Sequence, residues 1–453
     1  MNHFWPKLRD WLKAMPDARD PEAIVYSPQF LLVWGLCLFL FKLGSRRQLD
    51  YRLVGAPLLA NLNRLAGAAQ TTTPVHGTLD HFVGHLGVEA LLALRLRMNR
   101  RLIRMKALDA GRLFGKFVVA ADGTGWLVFR KRHCDHCLEW KQGGRTVYMH
   151  WVLEAKLVAP NGLALSLGTE FIENRDLPKN RRLTQKHKQD CELKAMLRLL
   201  PQLRAAYPQT PFCLTSDSLS ACGPVIQGCK DVRFSFVLVF KEGRTPALWA
   251  EFQRLLPLCP ENVLRVVLPD GAVQVFRWVC DLEHEDSKHR RHRLHAILCE
   301  ETRNGETTTY AWITDLRASR DTVVPIASQG GRIRSKIENE GFNLQKNSDL
   351  NLEHPCSRNL ERAKAYYFLL QIAHTILQLV EKGSLLRGLA AQAPRRAAPG
   401  PKESASRLAA RVFGGLKNIA WEMLESFRRT LLPDEVFDPA AAARIQIRLN
   451  NSS

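Results

Sequence analysis

A chain of 453 residues, 46% hydrophobic and 24% charged, has a globular composition and the length for two or three domains, which excludes a disordered chain. Its 65 Lys and Arg against 44 Asp and Glu leave a formal net charge of +21, which points to a polyanionic partner, nucleic acid or an anionic membrane surface. Eleven scattered cysteines, several inside apolar runs, predict reduced thiols and a cytoplasmic setting rather than a disulfide framework.

Residues 1–110 read as helical. The first residues run into charged sequence, so no secretory leader is expected. Phe30–Phe41 is uncharged but spans only a dozen residues, whereas a membrane-spanning helix needs about 20. It predicts a buried helix, and no membrane span is expected. Asp80–Met105 repeats apolar residues at helical spacing, weakened by Gly84 and Gly87. Its second half carries Arg95, Arg97, Arg100, Arg101, Arg104 and Lys106, either a solvated face or a phosphate-contacting surface.

From Lys116 the pattern turns to strands. Lys116–Ala121 and Trp126–Arg130 read as a hairpin around Asp122-Gly-Thr-Gly125, with Val147–Val158 and Leu163–Leu167 as further strands. Gln185–Leu200 has helical period and should stop at Pro201. Pro211–Ser216 is a short run ending on Asp217, and Phe234–Phe240 is a buried strand. Residues 243–328 read β-rich, with strands at Val263–Leu268, Val273–Val279, His292–Cys299 and Tyr310–Thr314. Helical spacing returns in Arg332–Lys346 and Arg358–Glu381, followed by a Pro-containing linker over 386–406 and a helical C-terminal region, 407–453. Strands, a helix and more strands in this order predict a mixed α/β fold flanked by helical segments.

Two strands ending in Asp122 and Asp217 can bring their carboxylates together along one sheet edge, a donor set suited to hard divalent cations. The competing reading is that each Asp only caps its turn. On a helix over Arg332–Lys346, Ile333, Ile337 and Leu344 form a core-facing stripe, with Glu338 at its edge and Arg334 one turn earlier. A carboxylate flanked by cations in this way can hold a metal while Arg and Lys grip phosphate, although an ordinary Arg–Glu surface pair has the same spacing.

Asp122-Gly-Thr-Gly, Thr215-Ser-Asp217-Ser and Arg334-Ser-Lys-Ile-Glu338-Asn-Glu-Gly-Phe-Asn-Leu-Gln-Lys346 together resemble bacterial insertion-sequence DDE transposases. So do Gly168–Asn174, Gln189–Lys194 and Leu370–His374, and the resemblance covers roughly residues 110–380. It implies an α/β fold with an RNase H-like mixed sheet, its first part at 111–242 and last part at 329–385, and a β-rich insertion at 243–328. Residues 1–110 would then be a DNA-binding region. The resemblance further implies that Asp122, Asp217 and Glu338 form the catalytic, metal-binding triad for Mg²⁺ or Mn²⁺, cutting and joining DNA by two-metal phosphoryl transfer. It assigns Arg334 and Lys346 to the transposon end, and the basic Arg100, Arg101 and Arg104 are the added DNA-contact candidates. The implied partners are terminal inverted repeats and target DNA, bound by a homodimer at the nucleoid in the cytoplasm. The chain departs from the family pattern at Gly331, where a Tyr is usual, and at Ser335, where a Trp is frequent. These departures keep an alternative open, a non-catalytic DNA-binding protein derived from a transposase.

His133-Cys134-Asp-His-Cys137 offers a Cys-x-x-Cys pair of the spacing zinc uses. A structural site needs four ligands, and no second pair lies nearby in sequence, with His150 one candidate. The sequence therefore favours a turn with reduced thiols over zinc at Cys134 and Cys137. Glu170, Glu173, Asp190 and Glu192 are assigned solvated or structural roles, and His374 that of a satisfied core histidine.

Overall fold

The computed structural model describes residues 1–174, 189–384, 414–444, 447 and 449. The predicted linker over 386–406 lies outside the described residues. The chain forms two compact units. One comprises Met1–Asp109, Asn161–Ser166 and Gly341–Ser453, and the other Ala110–Pro160 and Leu167–Glu340.

The first unit is helical. Helix Pro28–Leu40 is buried along Gln29–Phe39, as its unbroken apolar sequence demands, and the long helix Leu360–Lys382 packs against it. Gly35 lets the side chains of Leu369 and Leu79 approach closely. No helix among the described residues is long and apolar enough to cross a membrane. The helical pattern through Asp80–Met105 divides into His76–Leu86 and Val88–Arg104, because Gly87 turns the chain at φ +77°. Within the second of these, Leu91, Leu94, Met98 and Leu102 form the buried stripe. His374 is a core histidine as expected, buried and hydrogen-bonded to Gln345 at 2.9 Å and to Gln378 at 3.1 Å.

The second unit is built on a mixed sheet. Its strands are β1 (Arg112–Leu113), β2 (Lys116–Phe129), β3 (Leu138–Gln142), β4 (Arg145–Val158), β5 (Ala164–Ile172), β6 (Phe212–Ser216), β7 (Ser235–Val239), β8 (Val263–Val267), β9 (Val273–Glu285), β10 (Arg291–Arg303) and β11 (Glu306–Thr314). Together they form one 11-stranded sheet in the order β3-β4-β2-β6-β7-β11-β10-β9-β8, with β1 paired to β2 and β5 to β4. β2 runs antiparallel to β4 but parallel to β6, and β6 parallel to β7. The β-rich region predicted at 243–328 continues this sheet: β11 pairs antiparallel with β7, and β10, β9 and β8 follow as an antiparallel meander.

Two local expectations are corrected. Lys116–Arg130 is not a hairpin, since β2 runs unbroken through Asp122-Gly-Thr-Gly, with Asp122 opposite Glu154 and Gly123 opposite Leu153. The glycines serve close packing rather than a turn. A Cβ on Gly123 would overlap the carboxylate of Glu192, and one on Gly125 would lie 3.3 Å from the Trp151 indole nitrogen. The second correction is helix Glu192–Ala206, which continues through Pro201 to Ala206. Leu199, Leu200 and Leu203 carry its buried stripe across the proline, and their burial outweighs the hydrogen bond the ring removes. Beside its four strands, the β-rich region 243–328 carries the helix Pro246–Leu255, held by buried Leu248 and Phe252.

Candidate active site

The site begins where two parallel strands part. Phe117–Ala120 of β2 pair with Phe212–Thr215 of β6. One residue further on, the Ser216 hydroxyl donates to the Ala121 carbonyl at 2.9 Å and closes the ladder. The next residues in each chain are Asp122 and Asp217. Adjacent strands lie about 4.8 Å apart, so two such residues stand side by side. Open α/β sheets bind ligands outside the carboxyl ends of parallel strands. Both carboxylates also satisfy local backbone. Asp122 Oδ1 accepts from the Gly123 N–H at 3.0 Å, and Asp217 Oδ1 from the Leu219 N–H at 3.0 Å as the cap of the turn Ser218–Ser220. Turn-capping and convergence are therefore both present, and each leaves oxygens for another partner.

Glu338 reaches the same place from the segment after β11. That segment winds as successive short turns: π-helical over Ile326–Gly331, 3₁₀ over Arg332–Arg334 and π-helical again over Ile337–Asn343. Ile333 and Ile337 are buried as the stripe predicts, which fixes the opposite side toward the carboxylates, whereas Leu344, the third predicted member, is only half-buried. Arg334 Nη1 lies 3.3 Å from Asp122 Oδ2 and 2.7 Å from Glu338 Oε1, so one guanidinium joins two of the three predicted carboxylates. The neighbouring Arg332 is used elsewhere, in an ion pair with Glu301 and over the Tyr310 ring at 4.6 Å. Gly331 has a steric reason, since a Cβ there would overlap the indole of Trp312. The packing of Trp312 thus excludes the Tyr that the family pattern carries at this position.

Sequence reasoning missed the fourth carboxylate. Glu192 was assigned a solvated or structural role, yet it opens the helix Glu192–Ala206 and lies against Gly123 in the space a side chain there would fill. Burial, followed by the charge of Asp217, raises its pKa above the ordinary glutamate value. Asp122 is shifted further, up to about 7. Burial is the main cause, Arg334 opposes it, and the charges of Glu338, Glu192 and Asp217 add to it. The charges of Glu338, Glu192 and Asp217 thus all act on Asp122, with Arg334 as the cation between Asp122 and Glu338, the kind of perturbed group that marks functional sites. A legible signal for Glu192 existed in the glycine at 123, which is needed only if something packs tightly against β2.

The other acidic residues have structural partners. Arg198 holds Glu170 at 2.5 Å and Asp190 at 2.7 Å, and Asp190 also accepts from the Glu173 N–H at 3.2 Å. On β4, directly across from Asp122, Glu154 forms a fully buried ion pair with Lys156 at 3.5 Å, with the Thr169 hydroxyl donating to Glu154.

The remaining predicted DNA contacts belong to the helical unit. Lys346 pairs with Glu353 at 2.8 Å. Arg100 and Arg104 are exposed and Arg101 half-buried on the helix Val88–Arg104, where exposed Arg97 extends the same basic face. Arg95 turns inward instead, donating to Ser166 Oγ at 2.7 Å and lying 5.1 Å from the Phe368 ring centre.

No protein-family model matches the chain, and no curated protein matches it.

Proposed function

We propose that the chain is a DDE-type DNA transposase that cuts and joins DNA ends by metal-dependent phosphoryl transfer. The observation that carries this reading is that Asp122 and Asp217 follow the last paired residues of the parallel β2–β6 ladder, with Arg334 joining Asp122 to Glu338 and the charge of Glu192 acting on Asp122. The sheet supports it as well. β5, β4 and β2 lie together, β6 and β7 follow in parallel, and the β8–β11 meander lies between Asp217 and Glu338 in sequence, an arrangement compatible with an RNase H-like core bearing an insertion.

Carboxylate oxygens are the donor type that hard divalent cations take. Asp122, Asp217 and Glu338 would hold Mg²⁺ or Mn²⁺, with Glu192 as a further oxygen donor. Bound there, such ions supply Lewis-acid charge to the phosphoryl oxygens and lower the pKa of bound water. The chain's own residues prepare the place. Burial and like charge leave Asp122 short of a positive partner, and Arg334 supplies part of it between Asp122 and Glu338. The same guanidinium can turn its remaining N–H donors to a DNA phosphate. Arg100, Arg101 and Arg104 add a basic face for sequence-independent phosphate contacts, in line with the net charge of +21. Action on two DNA ends by a homodimer at the nucleoid is part of the proposal.

The rival reading, a non-catalytic DNA-binding protein, draws on one observation: Arg334 already neutralises charge that a metal would otherwise neutralise. Incubation with DNA carrying the sequences that flank this reading frame separates the two. The transposase reading expects strand cleavage that requires Mg²⁺ or Mn²⁺, and the rival expects binding without cleavage under every ion condition.

A further inference from the structure

The loop between β2 and β3 folds Cys134 and Cys137 into a tight turn, with the Cys137 N–H directed to the Cys134 carbonyl at 3.4 Å. The two sulfurs are 3.8 Å apart, far beyond a disulfide, and both cysteines are free. His150 comes in from β4 with its Nε2 3.5 Å from Cys134 Sγ and 3.4 Å from Cys137 Sγ. His133 closes the group, and the coordinating atoms of His133, Cys134 and His150 all lie within 4.8 Å of one another.

These separations have a chemical meaning. Zinc–sulfur bonds of about 2.3 Å and zinc–nitrogen bonds of about 2.0–2.1 Å at tetrahedral angles place two thiolates about 3.8 Å apart and thiolate from imidazole about 3.6 Å apart. The Cys134, Cys137 and His150 atoms already stand at those distances. His150 is fully buried, and His133, stacked on Phe129 at 4.4 Å between ring centres, has a buried Nδ1 with no hydrogen-bond partner. His133, whose ligand atom lies within 4.8 Å of those of Cys134 and His150, is the fourth donor at hand. We infer that His133, Cys134, Cys137 and His150 form a closed structural zinc site.

The site has a mechanical role. Asn174 donates to the Cys137 carbonyl at 2.9 Å from its side chain and to the His136 carbonyl at 3.2 Å from its backbone. Gln189 exchanges two hydrogen bonds with the backbone of Glu139, at 2.7 and 2.9 Å. The Asp190 N–H then donates to Asn174 at 3.2 Å. Cys137 and the strand after it therefore hold both Asn174 and Gln189, and Gln189 stands three residues before Glu192. A metal fixing the turn holds the start of the Glu192 helix in place without touching the carboxylate site. A closed site with four protein ligands has no open position for chemistry, so its contribution is to folding and positioning.

Metal analysis of the full chain, purified without added zinc, tests the inference, with one zinc per chain expected. Replacement by Co²⁺ should give intense visible bands of tetrahedral cobalt with thiolate charge transfer. Both signals should vanish in the Cys134→Ser/Cys137→Ser double variant, and His133→Ala should weaken binding at least tenfold. If the double variant does not fold, peptide mapping of thiol alkylation on the wild-type chain decides instead. Zinc should protect Cys134 and Cys137 and leave exposed Cys191 reactive. Absence of zinc together with an octahedral or missing cobalt spectrum overturns the inference. So does equal alkylation of Cys134 and Cys137 with and without zinc.

Discussion

Glu192 packs against Gly123 so closely that β2 has no room for a side chain at that position. The contact ties a helix start to the strand that carries Asp122, and it makes a prediction separable from the chemistry. Gly123→Ala forces the two apart and should cost about 1–3 kcal/mol, as overpacking of a tight contact does. Adding Glu192→Ala should recover the melting temperature. Cleavage should not return, because the fourth carboxylate is then missing. Thermal unfolding of the single and double variants checks the first claim, and a cleavage assay checks the second. An unchanged melting temperature in Gly123→Ala would contradict the packing.

Acidic charge around a half-buried aspartate is costly without a cation. Asp122 titrates at about 7 when folded against an ordinary value near 3.8. A raised carboxyl pKa means that ionisation opposes folding. The penalty is complete above about pH 7, shrinks as pH falls between the two values and disappears below the lower one. In protein stripped of divalent ions, Asp122→Asn should therefore unfold at a higher temperature than wild type at pH 8, with the difference closing toward pH 4. Melting curves in a chelator across that range are the check, and a variant less stable than wild type at pH 8 would refute it.

Arg334 should matter more to DNA than to the fold. Its partner Glu338 is half-exposed, and ion pairs in such settings contribute only about 0–1 kcal/mol. Arg334→Ala should lower stability by no more than that while reducing cleavage at least tenfold. Arg334→Lys should recover charge but not the two-carboxylate bridge, and so restore activity only in part. Parallel melting and cleavage measurements distinguish this from a structural arginine, whose loss would move both together.

The Glu154–Lys156 pair on β4 behaves differently, since both side chains are fully buried. Lys156→Met removes the buried cation beside Glu154 and should cost about 3–5 kcal/mol, whereas Glu154→Gln with Lys156→Met should recover most of it. Urea unfolding of the two variants provides the comparison.

Much of the β framework was legible in the sequence because a buried strand announces itself as a short apolar run. β4, β6 and β7 fall where Val147–Val158, Pro211–Ser216 and Phe234–Phe240 predict them, to within a residue or two. Asp122 and Asp217 were legible for the same reason, each being the first carboxylate after such a run. What failed was the meaning of glycine. Gly123 and Gly125 read as a turn because local sequence cannot show that a distant glutamate and Trp151 need the space their side chains would occupy. Pro201 read as a stop because the burial of Leu203 beyond it is a tertiary fact. Glu192 was hidden by the same kind of long-range packing. The histidines that complete the Cys134–Cys137 turn were visible only singly, since cross-strand register, not spacing, brings His150 to it.

The central claim is that Asp122, Asp217 and Glu338 act as one site on DNA. The most direct measurement compares wild type with Asp122→Asn, Asp217→Asn and Glu338→Gln, each assayed for Mg²⁺-dependent cleavage of end-bearing DNA and for binding to the same DNA. The account predicts cleavage by wild type alone, with binding by all four proteins within a few-fold of one another. Cleavage by any of the three variants at the wild-type rate would contradict it.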